Sequence, residues 1–272
     1  MEPPSQTDAD SGAPERHTVL LHLAYVGTRY RGFQQQSGVP TVAGELERAL
    51  STMDPSASRV IGSSRTDAGV HARYHPVTFD TRLKIKARSW VLALAAKLPE
   101  DIVVVRAAAV PLRFDPRRRA VFKRYRYSLL MSRIDDPFLV RHSWRIGEPL
   151  DLHLMQEEAV TLIGQHDFAA FRSAHDARTM TVRSLKSVSV ERDPADARLI
   201  HLKVEGDRFL YNMVRIIAGS LVDLGRGKLP PGALARALQS QDRLDLGMTA
   251  PAHGLCLDWV ELDHSGEGAW PE

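Results

Sequence analysis

Residues 113 to 131 read RFDPRRRAVFKRYRYSLLM. A turn-forming Asp-Pro and three arginines give way to a strand pattern, and this is where the chain begins its element order again. Upstream, VLLHLAY (19–25) reads as a strand. TVAGELERALSTM (41–53) sets Val42, Leu46, Leu50 and Met53 on one helical face behind Thr41, a helix N-cap. SRVIG (58–62) and PVTFDTR (76–82) read as strands, ARSWVLALAAKL (87–98) as a helix and IVVVRAAAV (102–110) as a β-branched strand. The order is β, α, β, β, α, β.

Downstream, VFKRYRYSLLM (121–131) reads as a strand and DLHLMQEEAVTLIGQ (151–165) as a helix. SLKSVSVER (184–192) and RLIHLKVEG (198–206) alternate as strands, RFLYNMVRIIAGSLVDLG (208–225) and PGALARALQS (231–240) are helical, and LCLDWVELD (255–263) closes the chain as a strand. Apart from one added helix, the second half repeats the first. The expected fold is α+β: two split-βαβ, ferredoxin-like halves joined in a largely antiparallel mixed sheet, with helices on one face and the other face open to a ligand. The boundary falls near residue 117, giving halves at 17–117 and 118–264. Residues 1–16, rich in Pro, Ser, Asp and Gly, read as a disordered tail, and 265–272 as a flexible one.

The composition is that of a folded globular chain, 43% hydrophobic and 25% charged over 272 residues, which excludes disordered, collagen-like and disulfide-rich classes. The net charge is only +3, but its distribution is uneven: eight Lys or Arg residues against the single acid Asp115 lie between Arg113 and Arg133. Phe122, Tyr125 and Tyr127 are interleaved with them, as a phosphate-binding stripe would require; a solvated strand face would carry the same charges. The lone cysteine, Cys256, forms no intramolecular disulfide and reads as a small buried hydrophobe. No stretch has the length of a membrane span and the N-terminus lacks the apolar core of a signal peptide, so a reducing cytoplasm is expected.

Four segments carry candidate chemistry. In GSSRTDAGVHA (62–72), Asp67 and Gly69 suit a tight turn, because Asp bonds the backbone two residues on and Gly accepts positive φ. A turn does not explain Arg65, which in an extended segment points to the same side as Asp67 and would hold its carboxylate ionised, as a nucleophile or base needs. A structural ion pair has the same spacing. Asp67, His71 and His75 also recur every four residues, the spacing of metal ligands on a helix, but Gly69 and Pro76 would interrupt and stop that helix, which places a metal-dependent hydrolase below the metal-free reading.

In YVGTRYRGFQQQ (25–36), Gly27 and Gly32 bracket Thr28, Arg29, Tyr30 and Arg31, a loop able to admit a nucleic-acid backbone, pair its phosphates and stack its bases; a plain hairpin or loop with incidental arginines reads the same. Arg215 stands inside an apolar helix and needs a partner, Asp67 being one candidate and snorkelling to solvent the alternative. The GxG at Gly225 and Gly227 lacks a preceding strand and reads as a helix C-terminus.

Taken together, GSSRTDAGVHA, YVGTRYRGFQ (25–34), LPEDIVV (98–104), FKRYRY (122–127), GQHDFAAF (164–171), NMVRIIAGSLVDLGRG (212–227) and APAHGL (250–255) resemble, in order, the motifs of the TruA family of tRNA pseudouridine synthases, from about Thr18 to Asp263. That resemblance implies the pseudouridine synthase fold and isomerisation of uridine to pseudouridine at nucleotides 38, 39 and 40 of the tRNA anticodon arm, by a homodimer with no metal or organic cofactor. By motif it implies that Asp67 is the catalytic aspartate with Arg65 in its signature, that Tyr125 stacks on the target base, and that Arg215 pairs with the aspartate. The chain departs from the family pattern at Ser64, where Gly is usual, and at Asp115-Pro116 in FDPRR, where FHAR is usual. It also has Ala95 in place of an Asn before LP, and His75 where a Gln often follows the signature. A non-catalytic RNA-binding protein on the same scaffold is the main alternative, and intact Asp67, Arg65, Tyr125 and Arg215 count against it.

Overall fold

The computed structural model describes residues 15–173 and 179–263. The expected tails, apart from Glu15 and Arg16, lie outside them. The first half runs β1 (His17–Tyr25), α1 (Val42–Ser51), β2 (Ile61–Gly62), β3 (His71–Thr81), α2 (Ala87–Ala95) and β4 (Ile102–Val110). After α3 (Pro116–Arg119), the second runs β5 (Ala120–Met131), β6 (Trp144–Ile146), α4 (Leu152–Val160), β7 (Gly164–Asp167), β8 (Val182–Arg192), β9 (Leu199–Gly206), α5 (Met213–Gly225), α6 (Ala233–Ser240) and β10 (Leu255–Leu262).

The strands form one sheet in the order β4-β1-β3-β10-β5-β9-β8-β7, with β2 on β3 and β6 on β5. Within the first half the order is β4-β1-β3-β2 and within the second β10-β5-β9-β8, so each half places its fourth strand beside its first, then its third and second. All neighbours within these two sets are antiparallel. This is the ferredoxin-like arrangement, and it is mixed only where β6 joins β5 and where the halves meet.

That junction positions the site. The outer edge of β3 is shared: β2 pairs with Val77 and Thr78, while β10 pairs in parallel with His71 and Ala72. The chain therefore leaves β3's edge at Gly62 and returns to it at His71, and the loop between, which contains RTDAG, emerges where the two halves touch.

The predicted helical faces are the buried ones. Val42, Leu46 and Leu50 are essentially inaccessible, and Thr41 caps α1 by accepting from Gly44 N at 3.2 Å. Trp90 of α2 meets Phe79 of β3 edge-on, 5.1 Å between ring centroids. A continuous buried cluster runs through both halves, with each fully buried Leu or Phe contributing about 1.5–3 kcal/mol.

Three elements differ from their sequence reading. Only Ile61–Gly62 of SRVIG pairs as a strand. The strand expected from Pro76 begins at His71, because HARYH finds partners in β1 and β10 despite its polar composition. The helix expected from Arg208 begins at Met213, because Asn212 is left-handed at φ 62°. The two short strands β6 and β7 carry too few residues to show a period.

Candidate active site

The turn reading of RTDAG holds. Val70 N donates to Asp67 O at 3.1 Å across a four-residue turn whose third residue, Gly69, has φ 80°. The loop at 26–33 braces this turn from behind. Phe33 N donates to Thr66 O at 3.1 Å and Gly69 N to Tyr30 O at 3.2 Å. Gly32, at φ 95°, passes so close that a Cβ there would sit 2.6 Å from Thr66 O, and a Cβ on Gly27 would overlap the Val70 carbonyl. The expectation that these glycines admit a nucleic-acid backbone is thus corrected: the backbone they admit is the chain's own. Arg29, read as a phosphate contact, pairs with Asp101 at 2.7 Å, which also accepts from the Tyr30 hydroxyl.

In front of the turn lies a cleft of about 930 Å³. Its walls are Ser63 to Asp67 on one side, Lys123 and Tyr125 of β5 on the floor, and Arg208 to Val214 on the far side. Tyr125 and Tyr127 are opposite Leu257 and Leu255 in register, and this face of β5 carries α5. The cleft therefore opens on the helix-bearing face, between the helices of the two halves, rather than on the open face anticipated from sequence.

The structure brings Asp67, Arg65 and Tyr125 together in this cleft, with Arg117, Lys123, Arg183 and Arg208 also on its lining. Tyr125 is almost fully buried, its hydroxyl lies 3.0 Å from Ser64 Oγ, and Phe209 meets its ring edge-on at 5.1 Å. Burial pushes its pKa up to about 12, the Ser64 hydrogen bond opposes this and the Asp67 charge adds to it, so the phenol stays protonated. Lys123 Nζ donates to Ser63 O at 2.8 Å. Burial and then the charge of Arg208 push its pKa down to about 8, against Asp207.

Arg215 stands one step back. Residues Asn212 to Val214 line the cleft, while the Arg215 guanidinium donates from Nε to Ala250 O and from Nη1 to Asn212 Oδ1, both at 2.8 Å. The half-buried guanidinium thus has two partners within the protein. It also fixes the left-handed Asn212 at the start of α5.

Asp67, His71 and His75 do not share a helix face, since Asp67 is in the turn and both histidines are in β3. Gly27 N donates to His71 Nδ1 at 3.0 Å, leaving Nε2 to donate to His253 O at 3.0 Å. Ser64 N donates to His75 Nε2 at 3.2 Å. Their ring nitrogens are thus engaged within the fold, and among the described residues no group of three or more His, Cys, Asp or Glu side chains is placed to hold a metal ion. Cys256 is half-buried rather than buried, and desolvation and then the nearby Asp258 push its thiol up to about 12. The GxG reading holds: α5 ends at Gly225, and Gly227, at φ 71°, turns the chain away.

Sequence reasoning missed Arg183 and Arg208 on the cleft, Arg183 standing just before an expected strand and Arg208 at the head of an expected helix, with no motif to mark either. It also missed the buried partners of the loop, Tyr25 and His75, which lie 42 and eight residues from Asp67 in sequence.

A family model described as tRNA pseudouridine synthase matches residues 22–117 and 159–263. A tRNA pseudouridine synthase A of Thermoanaerobacter sp. (strain X514) is 39% identical over 239 residues, covering 88% of this chain and 97% of that protein. That of Halalkalibacterium halodurans is 42% identical over 238 residues, 87% and 89% of the two chains. That of Myxococcus xanthus is 40% identical over 242 residues, 89% and 91%.

Proposed function

The chain belongs to the tRNA pseudouridine synthase family and isomerises uridine to pseudouridine in tRNA, and on that premise we propose that it acts on nucleotides 38, 39 and 40 of the anticodon arm with Asp67 as its reacting carboxylate. The observation that carries this reading is the placement of Asp67 on a braced turn, in a cation-lined cleft whose floor is the buried ring of Tyr125.

The reaction breaks the bond between C1′ and N1, turns the uracil, joins C1′ to C5 and moves a proton from C5 to N1. It consumes no water and no redox equivalent, which supports a reaction without metal or organic cofactor. Asp67 serves it by attacking C1′ or by taking the 2′ proton, and either role requires the carboxylate ionised. Tyr125 offers an aromatic platform to the freed base. Arg65, beside Asp67, meets the flipped nucleotide, and the other cleft cations grip the flanking phosphates. In the same reading Arg215 supplies positive charge to the carboxylate, as the motif resemblance implies. No helix among the described residues is long and apolar enough to cross a membrane, and the reading includes a cytoplasmic homodimer, which gel filtration with light scattering tests directly.

Asp67→Asn keeps the shape of the side chain and removes its charge. It should lower pseudouridine formation in a uridine-containing anticodon arm by at least about a thousandfold, while tRNA affinity stays within about twofold because the phosphate contacts are untouched. Mapping the modified nucleotides after incubation with wild type and variant checks both parts. An active variant would remove Asp67 from the reaction, and modification outside nucleotides 38 to 40 would overturn the site assignment.

A further inference from the structure

Behind the wall of the cleft, three buried side chains form a chain of hydrogen bonds into the loop that carries Arg65 and Asp67. Ser64 N donates to His75 Nε2 at 3.2 Å, His75 Nδ1 lies 3.1 Å from the Tyr25 hydroxyl, and that hydroxyl lies 2.8 Å from Thr66 Oγ1. His75 is 0% exposed, Tyr25 4% and Thr66 6%.

The direction of each bond follows from its first member. A backbone N–H can only donate, so His75 Nε2 must present a lone pair, which leaves the single ring proton on Nδ1. Nδ1–H then donates to the Tyr25 oxygen, and the Tyr25 hydroxyl proton is directed to Thr66 Oγ1. Burial pushes the His75 pKa down to about 3, with the charge of Lys123 acting in the same direction, so the neutral ring needed for this order is the favoured form at neutral pH.

The contacts fall on two residues of the loop, one on each side of Arg65. Ser64 is held through its backbone N, and Thr66 through Oγ1 and, from Phe33 N, through its carbonyl oxygen. Arg65, between them, and Asp67, directly after Thr66, line the cleft together with both. A core network would stabilise the fold in general, whereas this one ends on the two residues that flank Arg65 and immediately precede Asp67.

The geometry points to His75 and Tyr25 as positioning residues: a one-way relay from Ser64 N through His75 and Tyr25 to Thr66 that sets where the Asp67 carboxylate stands relative to Tyr125. The inference rests on Asp67 being the reacting group. A displacement of an ångström or less at such a group slows the reaction without weakening the grip on the rest of the substrate.

The test compares purified Tyr25→Phe, Thr66→Val, His75→Leu, His75→Gln and Asp67→Asn enzymes on one anticodon-arm RNA, with kcat, KM and folded fraction measured for each. Tyr25→Phe and Thr66→Val change little volume and should fold. Each should lower kcat per folded molecule about tenfold, the effect of one buried hydrogen bond in a positioning role, with KM within about twofold. His75→Leu should lose at least as much. His75→Gln should recover most of that loss, since a carboxamide offers one acceptor and one donor at the spacing of the two ring nitrogens. The Tyr25→Phe, His75→Leu double variant should be no slower than the slower single, because both break the same chain. The relay is overturned if Tyr25→Phe and Thr66→Val keep wild-type kcat, if the loss falls on KM, or if Gln does no better than Leu. An inactive Asp67→Asn beside a fully active Tyr25→Phe sinks the relay alone, while an active Asp67→Asn sinks the assignment on which it rests.

Discussion

At the scale of single residues, Gly32 shows what a sequence marks and what it leaves open. A glycine between Arg31 and Phe33 signals close approach or positive φ, and both occur here: φ is 95° and a Cβ would lie 2.6 Å from Thr66 O and 3.3 Å from the Asp67 carbonyl carbon. The signal carries no information about what approaches, so the RNA reading and the intramolecular one looked alike until the turn was in place. Gly32→Ala should therefore destabilise the fold by about 1–3 kcal/mol through the left-handed backbone and, by pushing Thr66 forward, lower kcat more than it raises KM. Urea unfolding with single-turnover kinetics on the same preparation checks this, and an Ala variant with wild-type stability and kcat would show that the approach is not needed. Arg65 stood out because a turn does not explain it and Asp67 because it lies beside that Arg, whereas Tyr125 was singled out by the motif resemblance. The contribution of Ser64 was not, since its backbone N and its hydroxyl serve different partners, His75 and Tyr125, that only the fold brings within reach.

At the scale of elements, α5 is the instructive case. The apolar period of MVRIIAGSLVDLG continues backwards through Phe209 and Leu210, so periodicity alone starts the helix five residues early, at Arg208. The break is made by one residue, Asn212, whose left-handed backbone is held by the Arg215 guanidinium on its side-chain oxygen. That contact is invisible to propensity, yet it frees Arg208 to Tyr211 to line the cleft. In an ordinary helix, Ala is more stable than Gly by about 1 kcal/mol. At position 212 the order should invert: both substitutions lose the Arg215 contact, but only Ala also meets the left-handed penalty of about 1–2 kcal/mol. Thermal or urea unfolding of Asn212→Ala and Asn212→Gly checks the sign, and an Ala variant more stable than the Gly variant would mean that the helix simply extends backwards when Asn212 is removed.

For the whole molecule, the repeated order of elements was legible because each half carries its own alternating strands and amphipathic helices, and the same spatial order follows from the same connections. The join was not legible: two residue pairs between β10 and β3 link positions some 185 residues apart (256 − 71) and leave no period in the sequence. The fold also buries His71, His75 and His201. Burial is the largest cause pushing His71, His75, His142, His201 and His253 below their ordinary pKa, and His75 reaches about 3. The sign of the consequence is fixed. Below pH 6.5 the unfolded chain takes up a proton at each of these positions, and the native His75 does not until about pH 3, so the stability fully present above pH 6.5 is lost progressively as pH falls. His75 alone gives a slope of about 1.4 kcal/mol per pH unit, or about 2 kcal/mol between pH 6.5 and 5, and the other four act in the same direction. Asp193, which the His201 hydrogen bond holds down at about 2, contributes stability that is lost only as pH falls below the ordinary carboxylate range, so it leaves this window untouched. Urea unfolding at half-unit steps from pH 7.5 to 5 should therefore show stability falling below pH 6.5 with an uptake of at least one proton, and His75→Gln should remove about one proton from that slope. A curve flat to pH 5, or a slope unchanged by His75→Gln, would mean that His75 titrates freely in the native state, which a ring accepting from Ser64 N and sealed beneath the loop cannot do.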